Sequence, residues 1–324
     1  MGSSSPGSRA DATTCPHCDA SVEPSTSCRS CGRALAVCGG FRLGEELDRG
    51  GVARIFAASS DDGRSAAVKL MERTPLNPWP VHQLFARSAR LLSGLSHVGL
   101  PRVLGFEKSP RRSFLAMERL CGGTLYRRVA DGGKLDGAAV DALLRALLES
   151  AAYLHARGLV HGDITPRNVM FRSADDVRPV LVDFDGLCGH DEPGVASLVM
   201  TPGYTAPEQR AGTVSVASDL YGIGATLVFA ATGRAPDQLS RIGARLEVDL
   251  DGATLWPRTR RVLQRLVALE PAHRPTSAQA AITSLEPSPV RLRSLGTRLL
   301  VAALFVFLVC ALAACAMVMV SPSS

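Results

Sequence analysis

His161-Gly162-Asp163-Ile164-Thr165-Pro166-Arg167-Asn168-Val169-Met170, followed by Val180-Leu181-Val182-Asp183-Phe184-Asp185-Gly186, is the stretch whose reading decides the fold. The first segment comes after an apolar periodicity that predicts a helix over about 138–157, and the second reads as a short apolar strand ending in acids. Asp163 and Asn168 lie five positions apart, and Asp183 follows the strand. Together they offer one carboxylate able to act as a base and two hard oxygen ligands, the set that Mg²⁺-dependent phosphoryl transfer requires. Any one of these residues alone serves equally well as a turn former or helix cap. The combination in this order carries the reading.

Upstream, Leu43 to Ala57 reads as strand, glycine turn, strand, with Gly50 and Gly51 at the turn. Such a hairpin can lay free backbone N–H groups over phosphates, although an ordinary hairpin has the same signature. Ala66-Ala67-Val68-Lys69-Leu70-Met71 reads as a third strand, apolar except for one lysine. Of the 36 basic residues only Lys69, Lys108 and Lys134 are lysines. An ammonium kept inside an apolar strand therefore suggests a compact charge aimed at a polyphosphate; the alternative is a lysine snorkelling from an edge strand.

Downstream stand Thr201-Pro202-Gly203-Tyr204-Thr205-Ala206-Pro207-Glu208-Gln209, then Ser218-Asp219-Leu220-Tyr221-Gly222-Ile223-Gly224, then Pro271-Ala272-His273-Arg274-Pro275. With these segments the chain, over roughly 41–286, resembles the eukaryotic-like (Hanks-type) serine/threonine protein kinases of bacteria. Small-molecule kinases of the aminoglycoside phosphotransferase type share His-Gly-Asp, Asn and Asp-Phe-Asp but lack the Ala-Pro-Glu and Asp-Leu-Tyr segments. The resemblance implies an α+β, two-lobed protein kinase fold with a β-rich N-lobe and an α-rich C-lobe. It also implies ATP and Mg²⁺ as ligands and protein serine or threonine hydroxyls as acceptors. By the same resemblance Gly50 and Gly51 cover the triphosphate and Lys69 contacts its α and β phosphates. Met117 is the gatekeeper, and backbone groups of Glu118 and Leu120 meet the adenine. Asp163 orients the acceptor hydroxyl and takes its proton, Asn168 and Asp183 hold Mg²⁺, and Asp219 buttresses the catalytic loop. Glu208 pairs with Arg274, and Thr201 with Pro166 favours Ser/Thr over Tyr as acceptor.

Several positions depart from that pattern. The helix after the third strand is expected to offer Lys69 a glutamate, but the matching position is Ser88, and residues 73 to 106 contain neither Asp nor Glu. Lys69 is then expected to be oriented by another group such as Asp183, or to stay mobile. Asp48 stands at the first glycine position of the phosphate loop, Thr165 replaces the catalytic-loop lysine, and Asp185 replaces the glycine after Asp183-Phe184. Preorganised donors at a developing charge are worth about 3 kcal/mol each, so their loss predicts a slow or atypical enzyme. The alternative is a nucleotide-binding pseudokinase acting as a signalling scaffold. Gly162 replaces the arginine that reads an activation-segment phosphate, which disfavours switching through Ser197, Thr201 or Thr205.

The ends of the chain carry separate signals. Cys15-Pro16-His17-Cys18 and Cys28-Arg29-Ser30-Cys31 are two C-x-x-C pairs whose spacing suits a tetrahedral thiolate cage for structural Zn²⁺, Gly32 suiting the left-handed residue of a zinc knuckle. Disulfides and redox-active thiols are the competing readings. His17 is expected to be a solvent-facing spacer rather than a ligand. Leu299 to Val320 is an uninterrupted run free of charges, amides and proline, long enough as a helix to cross a bilayer core of about 30 Å. Arg291, Arg293 and Arg298 precede it, which places the upstream residues in the cytoplasm. The expected organisation is a flexible tail over 1–14, a zinc ribbon over 15–38, a kinase domain over 41–286, a basic linker over 287–298, a single-pass transmembrane helix over 299–320 in the inner or plasma membrane, and an external tail over 321–324. The 324 residues include 46% hydrophobic and 20% charged side chains, which excludes wholesale disorder. The net charge of +6 comes from dispersed arginines without a dense basic block, so no nucleic-acid partner is expected.

Overall fold

The computed structural model describes residues 13–22, 27–50, 53–72, 79–109, 112–189, 200–242, 247–248, 250 and 252–286. The expected membrane span, the linker before it, the external tail, most of the N-terminal tail, Gly51 and Ser197 lie outside the described residues. Among the described residues, no helix is long and apolar enough to cross a membrane.

The described residues open with a two-stranded ribbon, β1 (Thr13–Thr14) against β2 (Ser21–Val22). The following strand, β3 (Ala36–Val37), is already part of the next unit, because it pairs with β4 (Phe41–Arg49). β5 (Ala53–Ser60), β6 (Ser65–Glu72), β7 (Val103–Lys108) and β8 (Arg112–Glu118) complete an antiparallel six-stranded sheet in the order β3-β4-β5-β6-β8-β7. Helix α1 (Trp79–Ser93) connects β6 to β7.

Period-two alternation sorts the side chains of β6 between the faces of this sheet. Ala66, Val68 and Leu70 join Val37, Phe41, Phe114 and Ala116 in a core on one face. Met71 and Leu115 point the other way and pack with Phe85, Ala89 and Leu92 of α1. Lys69 shares the parity of Met71. Its ammonium therefore emerges on the α1 side, where the sheet core runs on into the helical half of the molecule.

That half is built on α2 (Leu125–Gly132), α3 (Gly137–His155) and α5 (Val216–Thr232). α2 and α3 start where short polar side chains accept the free amides of the first turn: Thr124 from Arg127 N at 3.2 Å, and Asp136 from Ala139 N at 2.8 Å. α5 is buried along Ser218–Ala231, a central helix surrounded by protein. α6 (Pro257–Leu266) packs on α5, and α7 (Ala278–Leu285) packs on α3 and α6. Two hairpin-like pairs line the front of this helical lobe, β10 (Val169–Phe171) with β11 (Pro179–Leu181) and β9 (Leu159–Val160) with β12 (Cys188–Gly189). One buried ion pair staples the lobe: Arg274, 2% exposed, donates to both oxygens of Glu208 at 2.6 and 3.0 Å. Glu208 sits on the short helix α4 (Pro207–Arg210) and also accepts from Ser218 Oγ at 3.0 Å.

The N-terminal ribbon is seated on the outer face of the sheet. The His17 ring stands edge-on to Phe114 with centroids 5.6 Å apart, and its Nε2 donates to Ala34 O at 3.0 Å. His17 is thus a half-buried packing residue, not the solvent-facing spacer its sequence position suggests. The reason is that the outer sheet face offers an aromatic ring for it to cover. Arg112, 7% exposed, fastens the two parts: it donates to Pro16 O, to Asp19 Oδ2 and, at 2.8 Å, to Glu72 Oε1. Arg54 meets the same Glu72 oxygen at 3.0 Å.

Candidate active site and metal centre

Asp219 organises the loop that carries the first candidate residues. Its carboxylate, 1% exposed, accepts from His161 N at 2.9 Å, from Gly162 N at 2.8 Å and from His155 Nε2 at 2.9 Å. Burial pushes its carboxyl up, but the His155 and backbone donors outweigh that and hold it below the usual range. Gly162 has φ +80°, and a Cβ there would stand 3.1 Å from Gly186 O. A side chain at this position is therefore strained in both conformation and space. His161 Nδ1 accepts from Asp163 N at 3.3 Å and its Nε2 lies 3.2 Å from Val182 O, which assigns the proton to Nε2. The imidazole thereby ties the 161–168 loop to the strand leading into Asp183.

Asp163 and Asn168 come together as their spacing predicts. Asn168 Nδ2 donates to Asp163 O at 2.9 Å and to Asp163 Oδ2 at 2.8 Å. The other carboxylate oxygen, Oδ1, takes a long 3.3 Å contact from the Thr201 hydroxyl. Burial, with the nearby Asp183 charge, pushes the Asp163 carboxyl above its usual range. Because the Asn168 amide N–H is engaged by Asp163, its Oδ1 is the atom available to a cation. That oxygen and the Asp183 carboxylate are hard donors of the kind Mg²⁺ takes, so the residues present fit the ion.

Asp183 has a left-handed backbone, φ 64° and ψ 71°, at the entry to the turn Phe184–Gly186. For a non-glycine residue that conformation costs about 1–2 kcal/mol. It brings Asp183 Oδ1 to 2.6 Å from Lys69 Nζ, and the turn itself brings Asp185 Oδ2 to 2.7 Å from the same nitrogen. Lys69 is 7% exposed and does not stand at a sheet edge, since β6 pairs on both sides. Burial alone would lower the Lys69 pKa; the Asp185 and Asp183 charges overcome it and raise it. The same balance divides the acids: the Lys69 charge holds the Asp183 carboxyl down, whereas partial desolvation in the turn keeps Asp185 raised. The participation of Asp185 went unread in the sequence, where it registered only as a missing glycine.

The remaining candidates are spread around this centre. Met117 pairs with Ala67 and Val103 at the end of β8, and the amide of Glu118 donates to Arg102 O at 2.9 Å. The Glu118 side chain is held by Arg172 at 2.9 Å. Leu120 follows in the connection to α2. Gly50 closes the β4–β5 hairpin by donating to Ala53 O at 2.9 Å. Asp48 Oδ1 accepts from Arg49 N at 2.9 Å, so the acid at the first glycine position is engaged by its own neighbour. Thr165, in place of the lysine, is 3% exposed and brings no cation to the loop.

The four cysteines of the ribbon form a second centre. Cys15, Cys18, Cys28 and Cys31 bring their Sγ atoms within 4.8 Å of one another, Cys15 to Cys31 at 3.8 Å and Cys18 to Cys28 at 3.7 Å. Each pair sits on a tight turn. Asp19 N donates to Cys15 O at 3.1 Å with Asp19 at φ 61°, and Gly32 N donates to Cys28 O at 2.8 Å with Gly32 at φ 71°. The His17 amide points at Cys15 Sγ from 3.4 Å, a donor suited to a thiolate. Four converging sulfurs of this kind fit a Zn²⁺ ion.

Comparison with known proteins agrees with this geometry. A family model described as the protein kinase domain matches residues 41–284. This chain belongs to the protein kinase family. It is 30% identical over 271 residues to serine/threonine-protein kinase C of Synechocystis sp., covering 76% of this chain and 49% of that protein. It is 28% identical over 271 residues to serine/threonine-protein kinase PknA of Nostoc sp., covering 76% and 47%. A third relative, serine/threonine-protein kinase pkn2 of Myxococcus xanthus, is 33% identical over 213 residues, covering 63% and 25%. The chain thus spans about half or less of the length of these relatives.

The depressed Asp219 carboxyl has a consequence for acid stability. Its contribution is fully present above the unfolded carboxylate pKa of about 3.9 and is lost as pH falls through the lower folded value. Urea midpoints measured from pH 7 down to 3 should fall steeply at the acid end in the parent chain. Asp219→Asn should be less stable at pH 7, by about 2–3 kcal/mol for a buried hydrogen-bonded charge, and flatter in acid. Equal acid limbs in the two proteins would rule out this role for Asp219.

Proposed function

We propose that this chain is a membrane-anchored serine/threonine protein kinase that transfers the γ-phosphoryl group of ATP to protein hydroxyls. The observation that carries the reading is the state of Asp163: one oxygen is fixed by Asn168 and the other already receives an alcohol, the Thr201 hydroxyl. An acceptor serine or threonine that displaced Thr201 would meet a carboxylate whose raised pKa suits it to take a proton. Lys69 supplies the cation for the α and β phosphates, with Gly50 and Gly51 at the covering hairpin. The end of β8, at Met117 and Glu118, and Leu120 beyond it offer the edge for adenine. Asn168 and Asp183 would hold Mg²⁺, which when bound neutralises charge on the phosphate oxygens. The acceptors, as proteins, follow from the relatives' printed activity and from the Thr201–Gln209 segment.

A second reading, a nucleotide-binding scaffold without transfer, is favoured by Thr165, which leaves the loop without the lysine cation. Radiolabel transfer by the purified full chain separates the two. Transfer from ATP to a generic protein acceptor should occur, and Asp163→Ala should reduce it by about 10²–10⁴-fold, the usual worth of a general base. Identical background in both proteins would favour the scaffold.

The ribbon is proposed as a structural zinc module. Metal analysis of the purified chain should find one zinc per molecule, and Cys15→Ser with Cys28→Ser should abolish it. Stoichiometric zinc in that double variant, or none in the parent, would remove the proposal.

Membrane anchoring rests on Leu299–Val320, which as a helix would be about 33 Å long, with arginines on its N-terminal side and the kinase domain on the cytoplasmic side. The full chain should stay in the membrane fraction after alkaline carbonate washing. A variant ending at residue 290 should be released to the supernatant; retention of that variant would assign the anchoring elsewhere.

A further inference from the structure

The Lys69 ammonium has two carboxylate partners, and both come from the same three-residue stretch, Asp183 at 2.6 Å and Asp185 at 2.7 Å. The helix packed beside that stretch offers none. α1 lies against the turn Phe184–Gly186, with Phe85, Ala89 and Leu92 in the same core as Phe184, and no residue from 73 to 106 is acidic. Ser88, on the buried side of α1, is 5% exposed. A lysine buried in an apolar sheet requires a compensating charge, or it is driven to neutrality or to another rotamer.

The two aspartates are not equivalent. Asp183 is the carboxylate that, with Asn168 Oδ1, suits a divalent cation, and one engaged with such a cation has less charge left for an ammonium. Asp185 has no second cationic partner among the described residues. It stands on the turn immediately after Asp183, so its distance to Lys69 is set by the turn and not by α1.

We propose that Asp185 is the positioning residue for Lys69, supplying from the Phe184–Gly186 turn the carboxylate that α1 lacks, so that the lysine is aimed at the phosphates independently of where α1 stands. Asp185 acts through Lys69 and touches neither acceptor nor reacting phosphorus. The inference rests on the nucleotide-binding reading of the site, and its test is read in binding as well as in turnover.

The test uses the full chain and four proteins: the parent, Asp185→Asn, Ser88→Glu, and the two changes combined. Calorimetry gives the affinity for Mg-ATP and, separately, for adenosine, which has no phosphates for Lys69 to reach. Asp185→Asn should weaken Mg-ATP by about tenfold or more, the scale of one misplaced charged donor, and leave adenosine affinity within error. Adding Ser88→Glu should restore most of the Mg-ATP affinity in the combined variant, and the same change should add little to the parent. Where the parent transfers phosphate, kcat should follow the same order. Equal Mg-ATP affinity in parent and Asp185→Asn would overturn the proposal, as would parallel losses of ATP and adenosine binding. A loss that is cured by raising Mg²⁺ but not by Ser88→Glu would also overturn it, because Asp185 would then be a metal ligand. A parent that binds Mg-ATP in this pattern without transferring phosphate would keep the proposal and remove the kinase reading alone.

Discussion

One buried ammonium governs the cleft. Lys69 is drawn out of water into the middle of a six-stranded sheet, where an uncompensated charge is unfavourable by several kcal/mol. It is held there because the strand that leads to Val182 turns abruptly at Asp183, through a left-handed residue, and returns two carboxylates to it. The sheet therefore depends on the helical lobe for its charge balance, and the helical lobe depends on the sheet to compensate two acids. The same turn is fixed from behind by His161, which bridges to Val182, and His161 is fixed in turn by Asp219. A chain of polar contacts thus runs from the buried face of α5 to the middle of β6.

The sheet is constrained from its outer side as well. With the ribbon seated on Phe114 and gripped by Arg112, the face formed by Val68, Leu70 and Phe114 is covered by protein from the chain's own N-terminal region. Arg112 and Arg54 share Glu72, at the end of the strand that carries Lys69. Arg112 thus connects the cysteine ribbon to the end of the strand that carries Lys69.

Much of this was legible in the residues. Asp163, Asn168 and Asp183 stand out by type and spacing, and the structure brings Asn168 onto Asp163 and turns Asp183 toward Lys69. The paired C-x-x-C turns show the same directness, because each turn is local and its sulfurs converge by backbone geometry alone. The resemblance anticipated the distant pair Glu208–Arg274, and the missing acid on α1 pointed to Asp183 for Lys69; other contacts between positions far apart in the chain were not legible. Asp185 reads in sequence as the loss of a glycine, and only the folded turn shows it facing Lys69. Arg112 is one of many arginines, and nothing in its neighbours marks it as the clamp for Asp19. His17 looks like a spacer until Phe114 is seen beneath it. β3 reads as the end of the ribbon, although its hydrogen bonds belong to the sheet.

Whether the site around Lys69 takes up a metal-bound nucleotide decides between a nucleotide-binding fold, active or scaffold, and a kinase-shaped shell. Titration calorimetry of the full chain with ATP, with and without Mg²⁺, addresses this directly. One site per chain is expected, tight with magnesium, much weaker without it, and lost in Asp183→Ala. Absence of heat in the parent under both conditions would be incompatible with a phosphate-directed role for Lys69.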